Sequence, residues 1–137
     1  MRWADQLIKL SNFELELLQV RLLEIVERRE RAEMKLVVLT AEGEAEIEFA
    51  RRDHEAARSL AAFREGLKLR MAAAQRDIDL ALVEETGARD ALGEAFETLK
   101  KYEQVAESHR VAEVRETARR ENAVLDEMGL RRAGGRG

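Results

Sequence analysis

Apolar side chains recur along the first third of the chain with the alternating three- and four-residue steps of a heptad repeat. An average repeat of about 3.5 residues keeps one narrow face of a slightly supercoiled helix against a partner helix. The pattern predicts that this stretch is one helix of a coiled coil. Seven of the ten positions on this first seam are leucine or isoleucine: Ile8, Ser11, Leu15, Leu18, Leu22, Ile25, Arg29, Ala32, Leu36 and Leu39.

A second seam in the latter half of the chain is more regular than the first, and Glu85 is its one polar member between Leu67 and Ala106. After a four-residue step through Arg110 the stripe resumes, and such a step locally unwinds a supercoil. The members of the second seam are Leu67, Met71, Ala74, Ile78, Ala81, Glu85, Ala88, Leu92, Ala95, Leu99, Tyr102 and Ala106, followed beyond the step by Val114, Ala118, Glu121, Leu125 and Met128.

Two seams of this kind predict an all-α fold in which two long helices form an antiparallel coiled-coil hairpin and the second helix is the longer. We expect a single coiled-coil domain over residues 1–137. Helix one spans about 4–49, the turn about 50–54 and helix two about 54–130. Asp53 is the candidate N-cap of helix two. The last residues, 131–137, contain three of the eight glycines and are expected to form a disordered, flexible tail.

Two alternatives concern the position and type of the turn. Gly66 suits a helix C-cap, which places a rival turn near residue 66. The segment 36–49 carries β-branched residues and then alternating acids, so a β-hairpin is a rival there. Two isolated short strands are marginally stable in water, and the heptad passes through Leu36 and Leu39 unbroken, so the helix is favoured.

The turn near residue 51 also fixes an expected register between the two helices. It sets Leu36 against Leu67, Arg29 against Ala74 and Ile8 against Ala95. In this register the first helix ends opposite residue 100 or so, and helix two extends beyond it by about thirty residues, or about 45 Å. Four apolar side chains of that overhang form a stripe without a partner, which predicts a binding surface: Val111, Val114, Leu125 and Met128.

Composition limits the classes of partner and ligand. The chain has 38% charged and 4% aromatic residues, no proline, no cysteine and a net charge of −4. Each half carries 12 basic and 14 acidic residues, so nucleic-acid binding is disfavoured. Without cysteine there is neither a disulfide framework nor a thiolate metal site. No apolar run is long enough to cross a bilayer, and we expect a soluble protein.

Candidate catalytic or metal-binding chemistry is absent from the sequence. His54 and His109 lie at incompatible places, and no Glu-x-x-His pair of the di-iron bundles is present. Asp77 and Asp79 point away from each other on a helix. We therefore predict no metal site, no cofactor and no enzymatic activity. Arg29 is the informative irregularity of the first seam, because a charged residue there restricts the helix register.

The sequence resembles the FliJ family of flagellar export proteins over residues 3 to about 105. The resemblance is carried by the opening WADQLIKL and by heptad positions along both seams. These positions are Leu15, Leu22, Ile25, Ala32, Glu33, Leu36, Leu39, Phe63, Leu67, Met71, Ile78, Leu99 and Tyr102.

The resemblance implies a cytoplasmic component of the flagellum-specific type III export apparatus, at the cytoplasmic face of its membrane-embedded part. Proteins of this family look like the coiled-coil stalk of the rotary ATPases. The implied partners are the ring of the export ATPase FliI, the export gate protein FlhA and empty export chaperones. The resemblance implies at most peripheral membrane association, through the gate protein.

The resemblance also implies a gate-binding patch near the hairpin tip, where Leu39, Phe63 and Leu67 match the family. Other positions of that patch do not carry over well and are occupied here by Lys35, Glu42, Glu46, Arg70 and Ala74. Two functions are alternatives to a stalk of the flagellar export apparatus. One is a generic coiled-coil tether or oligomerisation protein without a motor partner, and the other is the equivalent stalk of a type III secretion injectisome.

Overall fold

The computed structural model describes residues 2–135, which form two α-helices. Helix α1 spans Arg2–Ala50 and helix α2 spans His54–Gly134, and no strand occurs in the described part of the chain. The all-α class with two long helices is thereby confirmed. The chain divides into two compact units. The turn unit comprises Glu16–Gly93, and the terminal unit comprises Met1–Leu15 together with Glu94–Gly137.

Helix α1 is continuous over its whole length, including the segment for which the sequence offered a β-hairpin. Ser11 lies inside the helix and is buried. The segment 36–49 is helical throughout, including Gly43, so the β-hairpin alternative is wrong. Proline is missing from the whole sequence, so every residue of this segment retains the amide hydrogen that a helical hydrogen bond needs. That bonding satisfies the backbone along the entire segment.

A short turn at residues 51–53 joins the helices within the turn unit. The amides of Arg51 and Arg52 donate to the carbonyls of Ile47 and Phe49, which closes the last turn of α1. Asp53 then caps α2, because its Oδ1 accepts a hydrogen bond of 2.9 Å from the amide of Glu55. The rival turn position, residue 66, lies inside α2.

The core of the turn unit is the interface between the two seams. Near the turn, Leu39, Leu67 and Ala74 form a buried cluster. Leu36, Phe63 and Met71 are partly buried and pack against it. Farther from the turn, Arg29 of α1 meets Glu85 of α2, so the helices run antiparallel in this unit. The remaining buried apolar side chains here are Ile25, Ala32, Ala56, Ile78, Ala81 and Ala88.

The register of the turn unit differs from the expected one. A Cβ atom on Gly43 would contact Leu67, and Gly43 lies one heptad closer to the turn than the expected partner Leu36, which packs against the same core cluster. Arg29 contacts Glu85 instead of Ala74. The expected pairing was wrong because an apolar heptad seam matches its partner again after each seven residues, so apolar positions alone do not select one register. The Arg29–Glu85 pair does select one register, because the expected register leaves both charged side chains facing apolar residues.

The terminal unit pairs the first part of α1 with the second part of α2. Ala4, Ser11, Leu15 and Leu99 are buried in it. Ile8 lies in a groove with Glu103 and Ala106, so its expected pairing with Ala95 was wrong by about two helical turns. The chain therefore covers α2 farther toward its C-terminal end than the sequence predicts.

The C-terminal part of α2 is exposed on all sides. Every described residue from 117 onward is exposed, and the helix continues to Gly134. The helix thus includes the first four residues of the segment 131–137 that the sequence predicts as a tail. Residues 136 and 137 of that segment lie outside the described residues.

Candidate interaction surfaces

A cluster of four charged side chains spans the two helices of the turn unit at the level of Arg29. Arg29 Nε donates to Glu85 Oε2 at 2.8 Å, and Arg29 Nη1 donates to Glu33 Oε1 at 2.9 Å. Arg89 Nη2 donates to the other oxygen of Glu85 at 2.8 Å. Glu85 is only 7% exposed, yet both of its carboxylate oxygens accept a charge-assisted hydrogen bond.

The electrostatics of this cluster favour the charged forms of Glu85 and Arg29. Hydrogen bonds from Arg89 and then Arg29 lower the pKa of Glu85 below its usual value, against the opposing effect of burial. Hydrogen bonds to Glu33 and Glu85 raise the pKa of Arg29 above its usual value. A neighbouring pair, Arg28 with Glu84, bridges the same two helices at the exposed edge. The sequence indicated Arg29 and Glu85 separately, but the expected register set Arg29 against Ala74, eleven residues before Glu85, so their pairing was missed.

The helices approach each other closely where Gly43 meets Leu67. A Cβ atom on Gly43 would lie 2.6 Å from Leu67 Cδ2, closer than two such carbon atoms pack. Gly43 is buried, so the contact belongs to the interior of the turn unit. The absence of a side chain at Gly43 therefore allows Leu67 to fill the seam.

The three residues of the predicted gate-binding patch come together in the structure, but they differ in exposure. Leu39 and Leu67 are 5% and 8% exposed and lie in the core cluster of the turn unit. Phe63 is partly buried and packs against that cluster. Of the three, Phe63 therefore offers the most surface for a partner, while Leu39 and Leu67 support it from below.

The four residues predicted on the overhanging helix all lie in the terminal unit, along α2. Val111 is partly buried, whereas Val114, Leu125 and Met128 are exposed to 57%, 64% and 49%. Leu130 is exposed to 74% and extends the apolar surface, although it was not among the predicted residues. The exposed apolar segment is thus shorter than predicted and begins near Val114.

A further apolar surface, which the sequence reasoning missed, runs along α1 in the turn unit. Its members each follow a position on the α2-facing side by two residues, which on a helix turns the side chain by about 200° to the opposite face. The available signal was this second repeat, offset from the seam by two. We call this surface the outer stripe, and all its members are exposed: Met34, Val38, Ala41, Ala45 and Phe49.

Neither metal-binding groups of side chains nor membrane-spanning helices occur among residues 2–135. No group of three or more histidine or acidic side chains in this range has an arrangement that could hold a metal ion. Neither helix, over its described length, has a stretch apolar and long enough to cross a membrane.

These features define a class: an all-α coiled-coil protein whose helices pair antiparallel within the turn unit and which carries exposed apolar side chains along both helices. The flagellar FliJ protein of Caulobacter vibrioides strain NA1000 / CB15N is 48% identical over 137 residues, covering 98% of this chain and 99% of the relative. The FliJ protein of strain ATCC 19089 / CIP 103742 / CB 15 matches equally well. No protein-family profile matches the sequence, and no solved structure matches it.

This chain belongs to the FliJ family. Identity at this level over nearly the full length of both proteins confirms the resemblance found in the heptad positions. Membership makes the chain a component of flagellar protein export.

Proposed function

We propose that this chain is a coiled-coil stalk of the flagellar export apparatus that binds the export ATPase ring through the exposed C-terminal segment of α2. In this proposal it also contacts the export gate protein near the turn and handles export chaperones. It acts at the cytoplasmic face of the membrane-embedded apparatus. Family membership supports the flagellar setting, and the exposed surfaces described above support the partner contacts.

The observation that carries the ATPase contact is the solvent exposure of α2 beyond residue 116. Leu125, Met128 and Leu130 are apolar and exposed there, on a helix that no other described segment covers. Exposed apolar side chains in a row are typical of surfaces that a partner protein covers. Charged neighbours such as Arg120 and Glu121 keep the segment soluble until it binds.

The gate contact rests on Phe63 and the cluster beneath it. Phe63 lies on the second helix ten residues after the cap residue Asp53, so it is presented close to the turn. Its ring packs on the buried pair Leu39 and Leu67, which restricts its motion. A preordered aromatic ring loses little conformational entropy on binding, and aromatic residues are frequent at the centre of interfaces.

The ATPase contact is tested by mixing the chain with the export ATPase of the same organism. We expect the wild-type chain to promote ring assembly, seen by sedimentation, and to change the rate of ATP hydrolysis. Replacing both Leu125 and Met128 by aspartate places two charges in the apolar segment. We expect this double variant to lose about tenfold or more in apparent affinity for the ATPase.

A matched control is available on the same helix. Leu80 and Val83 have the same three-residue spacing and are exposed to 63% and 72%, so their double aspartate variant adds equal charge elsewhere on α2. We expect this control to bind the ATPase like the wild type. Equal loss in both double variants, or no binding by the wild type, removes the proposed contact.

A further inference from the structure

The outer stripe has the geometry of a helix-binding surface, although nothing in the two helices covers it. Met34, Val38 and Phe49 are exposed to 63%, 47% and 53%. The stripe extends over sixteen residues, or about 22 Å, which is the length of roughly four helical turns. Its steps of four, three, four and four residues present a continuous apolar row to a partner.

Acidic side chains border the outer stripe along both edges in its second half. At about 100° per residue, Glu42 and Glu46 lie on one side of the row and Glu44 and Glu48 lie on the other. No basic residue occurs between positions 36 and 50. The local charge of this segment is therefore strongly negative, whereas the chain as a whole has a net charge of only −4.

Most of this negative charge has no partner within the chain. Glu48 forms ion pairs of 3.2 and 3.3 Å with Arg51 and Arg52. Glu42, Glu44 and Glu46 take part in no ion pair among the residues that the structure describes. These three carboxylates can therefore pair with a binding partner along the borders of the stripe, although Glu44 lines a groove together with Arg64 and Lys68 of α2.

We propose that the outer stripe of α1 binds the apolar face of a basic amphipathic helix supplied by a partner protein. The partner helix places its apolar residues on Val38, Ala41 and Ala45, and its lysine or arginine side chains meet the acidic borders. Opposite charges at the rim of a helix-in-groove contact select the partner and speed its association.

The charge of the borders argues against a second copy of this chain packed in parallel as the occupant. Two outer stripes in that arrangement would bring acidic borders next to acidic borders, and like charges at an interface oppose association. An antiparallel second copy would set the acidic half of one stripe near Lys35 of the other, and sedimentation distinguishes that occupant from a partner helix.

The apolar row is a different surface from Phe63, because Phe63 packs against the buried Leu39 and Leu67 while the row lies on the opposite face of α1. Two border residues, Glu42 and Glu46, occupy positions of the implied gate-binding patch, so a partner on the row lies beside that patch.

The full chain can be titrated with three designed four-turn peptides, using fluorescence anisotropy. The basic peptide has a leucine row bordered by lysines. The acidic peptide keeps the leucines and replaces each lysine by glutamate. The polar peptide keeps the lysines and replaces each leucine by glutamine. We expect the basic peptide to bind at least about tenfold more tightly than the acidic or the polar peptide. Its binding should weaken at high salt.

Val38→Asp separates docking on the stripe from general attraction to an acidic protein. The added negative charge strengthens a purely electrostatic attraction, but it interrupts the apolar row. We expect the variant to bind the basic peptide about tenfold more weakly. Leu69→Asp, at a position 68% exposed on α2, adds the same charge away from the stripe and should not weaken binding.

Glu44→Gln tests the acidic border without altering the apolar row. Because Glu44 is exposed and has no ion pair in the described chain, its substitution should leave the helical circular dichroism unchanged while weakening the basic peptide severalfold.

Three results overturn the proposal. The first is tighter binding by both Val38→Asp and Leu69→Asp, and the second is equal binding of the polar and basic peptides. The third is self-association of the wild type in sedimentation that Val38→Asp abolishes, since the occupant is then a second copy.

Discussion

Arg29 of α1 and Glu85 of α2 form a hydrogen-bonded ion pair at 2.8 Å, and each is the charged member of its own apolar seam. A polar pair within an apolar coiled-coil interface restricts the helices to the register that lets the two groups meet. The pair accounts for the difference between the observed register and the one expected from the apolar residues. Its consequences can be measured.

We expect Glu85→Ala to lower the melting temperature clearly, because Arg29 then loses its carboxylate partner on the facing helix and keeps only Glu33 on its own helix. Glu84→Ala is the matched control, since it removes the exposed partner of Arg28 one residue away. Exposed ion pairs contribute little to stability, so the control should melt close to the wild type. Thermal unfolding followed by circular dichroism gives the comparison, and equal shifts would contradict the expectation.

The double variant Arg29→Leu with Glu85→Leu separates stability from register. An apolar pair of similar size restores seam packing, so we expect a melting temperature at or above that of the wild type. The register should then be less uniquely defined. Spin labels at two exposed positions, Met34 and Leu80, should give one narrow distance distribution in the wild type and a broader one in the double variant. A distribution as narrow as the wild type's would show that other residues set the register.

The stability contributed by Glu85 should depend on acid pH. Hydrogen bonds from Arg89 and Arg29 hold the pKa of Glu85 below its ordinary value of 4.5 in the folded chain. Below about pH 4.5 the unfolded chain takes up the proton more readily than the folded chain. The stabilisation is therefore complete above pH 4.5 and is lost as the pH falls through the lower folded pKa.

The measurement is the difference in free energy of unfolding between wild type and Glu85→Gln as a function of pH. This difference should be constant near neutral pH and shrink below about pH 4.5. The pKa of Glu107 is also lowered, by Arg110, but that pair is present in both proteins and cancels. A difference that does not change down to the acid-unfolding range would refute the coupling.

Gly43→Ala should destabilise the chain even though alanine is the better helix former. The new methyl group meets Leu67 Cδ2 at 2.6 Å, and overpacking of this kind costs about 1–3 kcal/mol. The gain in helix propensity is smaller, about 0.5–1 kcal/mol. Gly87→Ala is the matched control, because a Cβ there meets nothing within 4 Å, and it should stabilise by about 0.5–1 kcal/mol.

The Leu67→Ala background removes the atom that the new methyl group would meet. There we expect Gly43→Ala to become stabilising, by an amount similar to Gly87→Ala. Denaturant unfolding of the wild type, Gly43→Ala, Leu67→Ala and the double variant measures this sign change directly. If Gly43→Ala has the same sign in both backgrounds, the close contact is not the cause of the effect.

Leu39→Ala should lower the free energy of unfolding by about 2–5 kcal/mol, because Leu39 is buried in the core cluster. Met34→Ala on the exposed face of the same helix should change it by no more than about 0.5 kcal/mol. Chemical denaturation measures both values. Similar values for the two variants would contradict the assignment of Leu39 to the interior.

The sequence predicted the two helices and the faces they bury, because burial repeats with the heptad. Every member of the first seam, from Ile8 to Leu39, is buried or partly buried. The second seam is likewise covered from Leu67 to Ala106. Asp53 was identifiable as the cap from its short acidic side chain just before a helical run.

The register of the two helices and the shape of the candidate surfaces were harder to predict from the sequence. An apolar seam is periodic, so sliding it by seven residues returns apolar residues to apolar neighbours, and Gly43 gave no signal that it would meet Leu67. In the terminal unit Ile8 lies about two helical turns farther along α2 than expected, which is why Val111 is partly buried instead of exposed. The outer stripe was missed because only the strongest repeat of α1 was followed.

The three-residue turn at 51–53 has a consequence for how the chain folds. Closing so short a loop loses little chain entropy, so the first tertiary contacts should form between residues close to the turn, such as Gly43 and Leu67. Contacts farther from the turn should then form in the order of their distance from it. During translation the apolar seam of α1 therefore has no antiparallel partner helix in this chain until α2 has been synthesised.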